Sequence, residues 1–584
     1  MSDAVAPSFA APVTSPLAAR AARRATLPDA TEARVRADRR LWLVIAAFAV
    51  AYLGLGARMA ALSLSEPEPR TRVETAAPAP RGEITDRHGR LLATELPAFS
   101  LYARPREVLD PRATARALAG IFPNLDEART RERLASGRRF VWIERPVTPR
   151  QRDRAMDIGE PGLAFGERAM RFYPAGRTAA HIVGDVRPGE EAVGWAEMVG
   201  TAGVERRFDD ILSDPERSAE PLALSIDLAL QHALTEVLRA EMARLDASGA
   251  AGVLLDSRTS EVLALVSLPD FDANDPRGAG DDRRGRSPRF NRAVQGVYEL
   301  GSVFKPLTAA MALDAGVVRV DEEIATGDPI YVGRNRVRDF HRMPDTMTTA
   351  DIIRRSSNVG SARLALRVTT PRFRDYLDRL GLFSVLDLEL SEAAQARPLL
   401  PGRWTELSTM NIAFGHGLAV SPMHLASAYA TLANGGRRVS PTLVKGGRAP
   451  GERVFSEAVA KEVIRMMRGV VSDGSGVRAQ VAYYDIAGKT GTADKPREDG
   501  RGYHRDRVIA SFGAVFPAND PAYVLVVSMD EPTDRSGRWP NRQASRTAAP
   551  AVALAIRRLA PILGLRPRPP LSPEEGRLPA ARPW

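Results

Sequence analysis

The chain has 584 residues, of which 44% are apolar and 26% charged, and it contains no cysteine. Such usage supports several domains with sizeable cores and excludes a wholly disordered, collagen-like or multi-span membrane chain; zero cysteine excludes disulfides, thiol nucleophiles and thiolate metal sites. The net charge is +11, yet among 82 Lys and Arg only Lys305, Lys445, Lys461, Lys489 and Lys495 are lysines. The arginines are interleaved with acids and no RRM, zinc-finger or helix-turn-helix signature is present, so no nucleic-acid partner is expected.

Residues 1–40 are rich in Ala, Pro and Arg, lack a hydrophobic period and read as a disordered tail. Residues 41–64 form an apolar run long enough to span a bilayer, with Arg58 snorkelling to the far interface. Arg34, Arg36, Arg39 and Arg40 crowd the near side, so the positive-inside rule places the tail in the cytoplasm and everything after residue 65 outside it. A cleaved signal peptide fits less well: the leader is too long, and Ala57-Arg58-Met59 is a poor cleavage site.

Glu66 to Pro80 reads as a juxtamembrane linker, the start of a module placed at 65–218. Within it, short β-like runs such as Phe99–Ala103 and Phe140–Ile143 alternate with Arg/Ala-rich helical stretches, without a polar catalytic cluster. A second module is placed at 219–564. Leu222–Asp227 reads as a strand end, and Leu228–Leu245 as a helix. Gly252–Asp256 and Glu261–Ser267 form a hairpin about Ser257–Ser260. Ile509–Phe516 and Ala522–Ser528 are two further strands, and Ala548–Ala560 is a closing helix stopped by Pro561. This order predicts an α+β domain with an antiparallel sheet flanked by helices. Residues 565–584 read as a disordered Pro/Arg-rich tail.

Three short segments carry chemistry. In Gly301-Ser302-Val303-Phe304-Lys305-Pro306, the proline belongs in a first helical turn, which puts Ser302 at a helix N-terminus. Backbone N–H groups there favour developing negative charge, and i, i+3 spacing lets the Lys305 amine reach the serine. A desolvated lysine can serve as the base that a serine nucleophile needs. Ser356-Ser357-Asn358 alone reads as a polar turn or N-cap. Gly488-Lys489-Thr490-Gly491-Thr492 looks like the end of a phosphate loop, but position 483 is Tyr where that loop needs Gly.

Together and in this order, the three resemble the Ser-x-x-Lys, Ser-x-Asn and Lys-Thr-Gly boxes of serine penicillin-binding proteins and β-lactamases. Two of the five lysines fall in boxes where arginine, which stays protonated, could not be a base. Further segments resemble class B penicillin-binding proteins: Arg81-Gly82-Glu83 to Ala93, Arg171-Phe172-Tyr173-Pro174, Ala180–Gly184, Gly203-Val204-Glu205 with Phe208-Asp209, Tyr298-Glu299-Leu300, and Phe414–Gly417. Ser-Ser-Asn preceded by Arg338-Asp339-Phe340-His341 is similar to the septal, cell-division type. One departure is the Arg-rich stretch 533–547, where the family usually has a Gly-rich aromatic segment.

The resemblance implies a single N-terminal anchor, an elongated pedestal and a DD-transpeptidase domain facing the periplasm from the inner membrane. It implies a serine acyl-enzyme with catalytic Ser302, Lys305, Ser356, Asn358 and Lys489. Thr490, Gly491 and Thr492 would bind the donor peptide. Expected partners are peptidoglycan strands as donor and acceptor, β-lactam antibiotics, a glycosyltransferase and divisome membrane proteins. No cofactor or metal is expected, because the seven histidines, His341 and His416 among them, read as structural residues. Alternatives from the same boxes are an elongation-type class B transpeptidase or an anchored sensor or scaffold without turnover.

Overall fold

The computed structural model describes residues 30–64, 80–192, 195–276, 278, 287–497 and 502–567. Most of the tail expected over 1–40, the linker 65–79 and the stretch 568–584 lie outside these residues. The chain forms two compact units, Met1–Ala77 and Pro78–Trp584. In the first, one helix runs Ala30–Leu64, so the last part of the expected tail is helical. Ala, Glu and Arg there are good helix formers, and that propensity extends the helix without any apolar period. Asp38–Ala60 is long and apolar enough to cross a membrane.

The second unit opens on a mixed sheet. Leu91–Ala103 pairs antiparallel with Val141–Val147, with Leu163–Phe172 and with the short Ile84–Thr85. Ile84–Thr85 also pairs parallel with Leu222–Ala223, which stitches the start of the pedestal to the segment leading into the next module. Helices Pro111–Ile121 and Glu127–Leu134 cover this sheet, with Leu118 and Leu134 packed on Leu101, Val141 and Ile143.

Segments singled out in the sequence converge here as one buried ion network. Glu205 accepts from Arg81 Nε and Arg171 Nε, both at 2.7 Å, and Asp209 pairs with Arg81 at 2.8 Å. Glu205 is fully buried, so its charge is tolerated only because two guanidiniums meet it. Asp86 closes the Asp86–Arg90 turn by accepting the His88 and Arg90 backbone N–H groups.

The catalytic-type module is built on a five-stranded antiparallel sheet in the order Ala487–Pro496, Tyr503–Phe516, Tyr523–Asp530, Gly249–Asp256, Val262–Leu268. Both hairpin strands and the two late strands are those expected from sequence. They read as continuous apolar runs because both sheet faces are covered. Helices Leu228–Arg244 and Ala548–Ile562 pack on one face. Helices Lys305–Asp314, Pro422–Ala433 and Glu457–Asp473 pack on the other. Pro561 lies inside the closing helix, which ends one residue later at Ile562; proline's fixed φ is itself helical, and so near the end only the helical hydrogen bond to the Arg557 carbonyl is forgone. The first strand, Ala487–Pro496, forms a sheet edge, and its outer side faces the site.

Candidate active site

Ser302 sits in a 3-10 turn, Gly301–Phe304, that runs straight into helix Lys305–Asp314 with Pro306 in the first turn. Two bonds fix this turn: the Gly301 N–H donates to the Gly415 carbonyl at 3.1 Å, and the buried Tyr429 hydroxyl donates to the Val303 carbonyl at 2.6 Å. The turn touches the edge strand backbone to backbone. Gly301 has φ +64°, and a Cβ on it would lie 2.7 Å from the Thr492 carbonyl oxygen and 3.2 Å from the Thr492 nitrogen. A Cβ on Gly491 would lie 2.3 Å from the Leu300 carbonyl oxygen. Glycine at both positions is therefore a condition for bringing the Ser302 turn against the Lys489–Thr492 strand.

Lys305 is completely buried. Its amine donates to the Ser356 carbonyl, to Ser356 Oγ at 3.1 Å and to Asn358 Oδ1 at 2.8 Å. The i, i+3 spacing lets the amine reach Ser302; in the structure three oxygen acceptors match the three donors of an ammonium. Lys489 is also completely buried and donates to Ser356 Oγ at 3.0 Å and to the Thr490 carbonyl at 3.1 Å. Both lysines thus meet on one hydroxyl. Burial lowers the Lys489 amine to about 7. Burial, then the Lys489 charge, pushes the Lys305 amine well below the usual lysine range, against the opposing pull of Asp339.

Ser356 is held in place by backbone conformation. It ends helix Thr349–Arg355 with φ 65° and ψ 44°, a left-handed geometry unusual outside glycine. Ser357 then caps helix Asn358–Val368, its Oγ accepting from the Gly360 N–H at 2.9 Å. Asp339 locks the same terminus. Its carboxylate accepts from Ser357 Oγ at 2.8 Å, from the Asn358 N–H and from the Val359 N–H at 3.3 Å. An anion at a helix N-terminus is stabilised by the orphan N–H groups and the dipole. Asn358 is pinned at its other end by donating Nδ2 to the Arg338 carbonyl at 3.1 Å.

The edge strand supplies hydroxyls. Thr490 Oγ1 shares a 3.0 Å bond with Ser475 Oγ, and Thr492 Oγ1 accepts from the Ala544 N–H at 2.9 Å. The second bond ties the Arg-rich stretch 533–547 to the site. All eight residues expected from sequence lie on three elements brought together here: the Ser302 turn, the Ser356–Asn358 junction and the edge strand. Sequence reasoning did not find Ser475 at all, and it noted Asp339 only as part of a resemblance. Asp339 was findable in principle as a carboxylate that could cap the Asn358 helix, but its separation from that helix gives no local signal.

A serine on a helix-initiating turn, with two buried lysine amines that share one hydroxyl beside that turn, is the equipment of an acyl-transfer site. Comparison with known proteins agrees. Residues 76–216 match the penicillin-binding protein dimerisation domain and residues 250–556 match the penicillin-binding protein transpeptidase domain. The chain is 35% identical over 544 residues to the probable peptidoglycan D,D-transpeptidase FtsI of Caulobacter vibrioides, covering 90% of this chain and 89% of that protein. It is 33% identical over 475 residues to the Escherichia coli peptidoglycan D,D-transpeptidase FtsI, covering 77% and 79% respectively. Penicillin-binding protein 3 of Mycobacterium tuberculosis, crystallised with aztreonam, superposes with a TM-score of 0.64 at 25% identity, covering 85% of this chain and 98% of that one. The chain belongs to the class B penicillin-binding proteins.

Proposed function

We propose that this chain is a peptidoglycan D,D-transpeptidase acting through an acyl-enzyme on Ser302, that β-lactams acylate the same serine, and that its role is septal. The observation that carries the reading is the pair of buried lysine amines within 3.1 Å of one hydroxyl, Ser356 Oγ, beside the Ser302 turn. Burying two cations side by side is costly, so the pair is stable when one amine is neutral. With Lys305 neutral, its lone pair takes the Ser302 proton as Oγ attacks the penultimate carbonyl of a stem peptide ending in D-Ala-D-Ala. Ser356 accepts from Lys489 and passes a proton to the departing D-Ala amine. Release of D-Ala leaves the ester on Ser302, and the proton held by Lys305 passes through Ser356 Oγ to Lys489, which restores both amines. The amine of a neighbouring stem peptide then attacks that ester, forms the cross-link and returns the proton to Ser302.

Backbone N–H groups of Ser302 and Thr492 serve as the oxyanion hole, supported by the contact of the Thr492 nitrogen with the Gly301 turn. Each such donor is worth about 2.7–4 kcal/mol. Asn358 holds the donor amide while Thr490 and Thr492 receive its terminal carboxylate. The domains are a tail at 1–40, an anchor at 41–64, a pedestal at 65–218, a transpeptidase at 219–564 and a tail at 565–584. The anchor puts the N-terminus in the cytoplasm and the catalytic module in the periplasm, alongside a glycosyltransferase and divisome membrane proteins.

The test is twofold. Purified protein given uncross-linked pentapeptide strands should release D-Ala and form cross-links, and Ser302→Ala should do neither; release by that variant sinks the acyl-enzyme. Depletion in cells should give filaments, and rounded cells that still divide would assign the chain to elongation.

A further inference from the structure

A second site lies in the pedestal, on the side where helix Glu127–Leu134 faces strand Val141–Val147. Between them is a groove of about 510 Å³ lined by Arg129, Arg133, Arg138, Phe140, Trp142 and Arg145. That volume is ordinary for a small-ligand cleft. Tyr102, Phe140 and Trp142 form an aromatic cluster with centroids 4.7 to 5.9 Å apart, and Phe140 is 44% exposed. Arg145 stacks over Trp142 at 4.6 Å. Arg133 donates to the Trp142 carbonyl, which fixes its fork at the groove wall. Arg129 and Arg138 are exposed and make no ion pair among the described residues. Glu132 on the helix and Glu144 on the strand are the facing acids, so cations dominate. Burial and the charges of Arg129 and Arg145 hold the Arg133 guanidinium below its usual range, a sign of mutual repulsion that an anion would relieve.

We propose that this groove binds an uncross-linked peptidoglycan strand, with saccharide rings on the aromatic cluster and stem-peptide carboxylates on the arginines. Guanidinium forks match carboxylates, and an exposed ring beside them suits a polymer that alternates sugar and carboxylate. The identity of the polymer rests on the transpeptidase reading; the groove itself does not.

The experiment uses the full chain in detergent, first treated with benzylpenicillin so that the Ser302 cleft is filled. Absence of any penicillin adduct at that stage fails the transpeptidase reading and says nothing against the groove. Binding is then measured with soluble pentapeptide-bearing glycan strands, with the same strands after an amidase has removed the peptides, and with poly-glutamate. The expected result is strand binding that weakens with salt, falls about tenfold or more in the Arg129→Glu/Arg138→Glu double variant, and falls severalfold in Phe140→Ala and for amidase-treated strands. Penicillin acylation should be unchanged in both variants, which confirms that they fold. Undiminished strand binding by the double variant overturns the proposal. So does poly-glutamate binding as tightly as strands with no loss in Phe140→Ala, which would assign the groove to an acidic protein segment.

Discussion

Replacing Lys305 by arginine separates basicity from charge. An unperturbed lysine, with a pKa of about 10.4, is neutral in about one molecule in 2,500 at pH 7. The environment of Lys305 raises that share, because burial and the neighbouring Lys489 charge both disfavour the ammonium. Arginine cannot follow, since guanidinium stays protonated in proteins. The substitution keeps a cation with N–H donors at this position and removes the lone pair. Loss of a general base costs about 10²–10⁴-fold, and acylation of Lys305→Arg should slow by at least that lower figure. The assay is the second-order rate of labelling by a fluorescent penicillin, with the melting temperature measured alongside to show that the variant folds. A folded variant acylating at the wild-type rate would refute the reasoning, because charge alone would then be sufficient and the base would lie elsewhere.

Other expectations follow from particular contacts. The Lys489 amine sits at about 7 in the fold and near 10.5 when unfolded, so between those values the unfolded chain holds more protons and stability rises with pH. Thermal unfolding of the wild type should gain on Lys489→Met from pH 7 to 9, by at most about 1.4 kcal/mol per pH unit, and parallel curves would contradict the depressed amine. Glu205→Ala removes the carboxylate that Arg81 and Arg171 share, leaving Arg81 with Asp209 and Arg171 without an ion-pair partner among the described residues, and should cost about 3–5 kcal/mol, read as a lower melting temperature; an unchanged value would mean that water reaches the network. Gly491→Ala drives a methyl to 2.3 Å from the Leu300 carbonyl, so penicillin acylation should fall by about tenfold or more while the far face of the sheet stays packed.

Much of the site was legible because catalysis restricts residue type where packing does not. Lys305 and Lys489 stand out in a chain that otherwise uses arginine, since only an amine can lose its charge in a buried setting. The five sheet strands were legible in part: the 249–256/262–268 hairpin and the two late strands are short β-rich runs between turn residues. The edge strand was recognised by its box and not by its pattern, because Gly488, Gly491 and two threonines lack the apolar signature of a strand. Long-range electrostatics was illegible. Arg81, Arg171 and Glu205 belong to segments noted separately, and nothing local says that one carboxylate joins two of them. The acceptors of the Lys305 amine were illegible for a similar reason. Helical spacing brings Ser302 within reach, but the acceptors that hold the amine come from Ser356 and Asn358 on another helix pair. The start of the first helix at Ala30 was missed because helix propensity without an apolar face leaves no period to see.

The central claim is that Ser302 is the nucleophile, and intact-protein mass spectrometry after exposure to benzylpenicillin tests it most directly. The account predicts one adduct of the mass of the whole drug, located by peptide mapping on the segment containing Ser302 and absent in Ser302→Ala. An adduct of the same mass that persists in Ser302→Ala would contradict it.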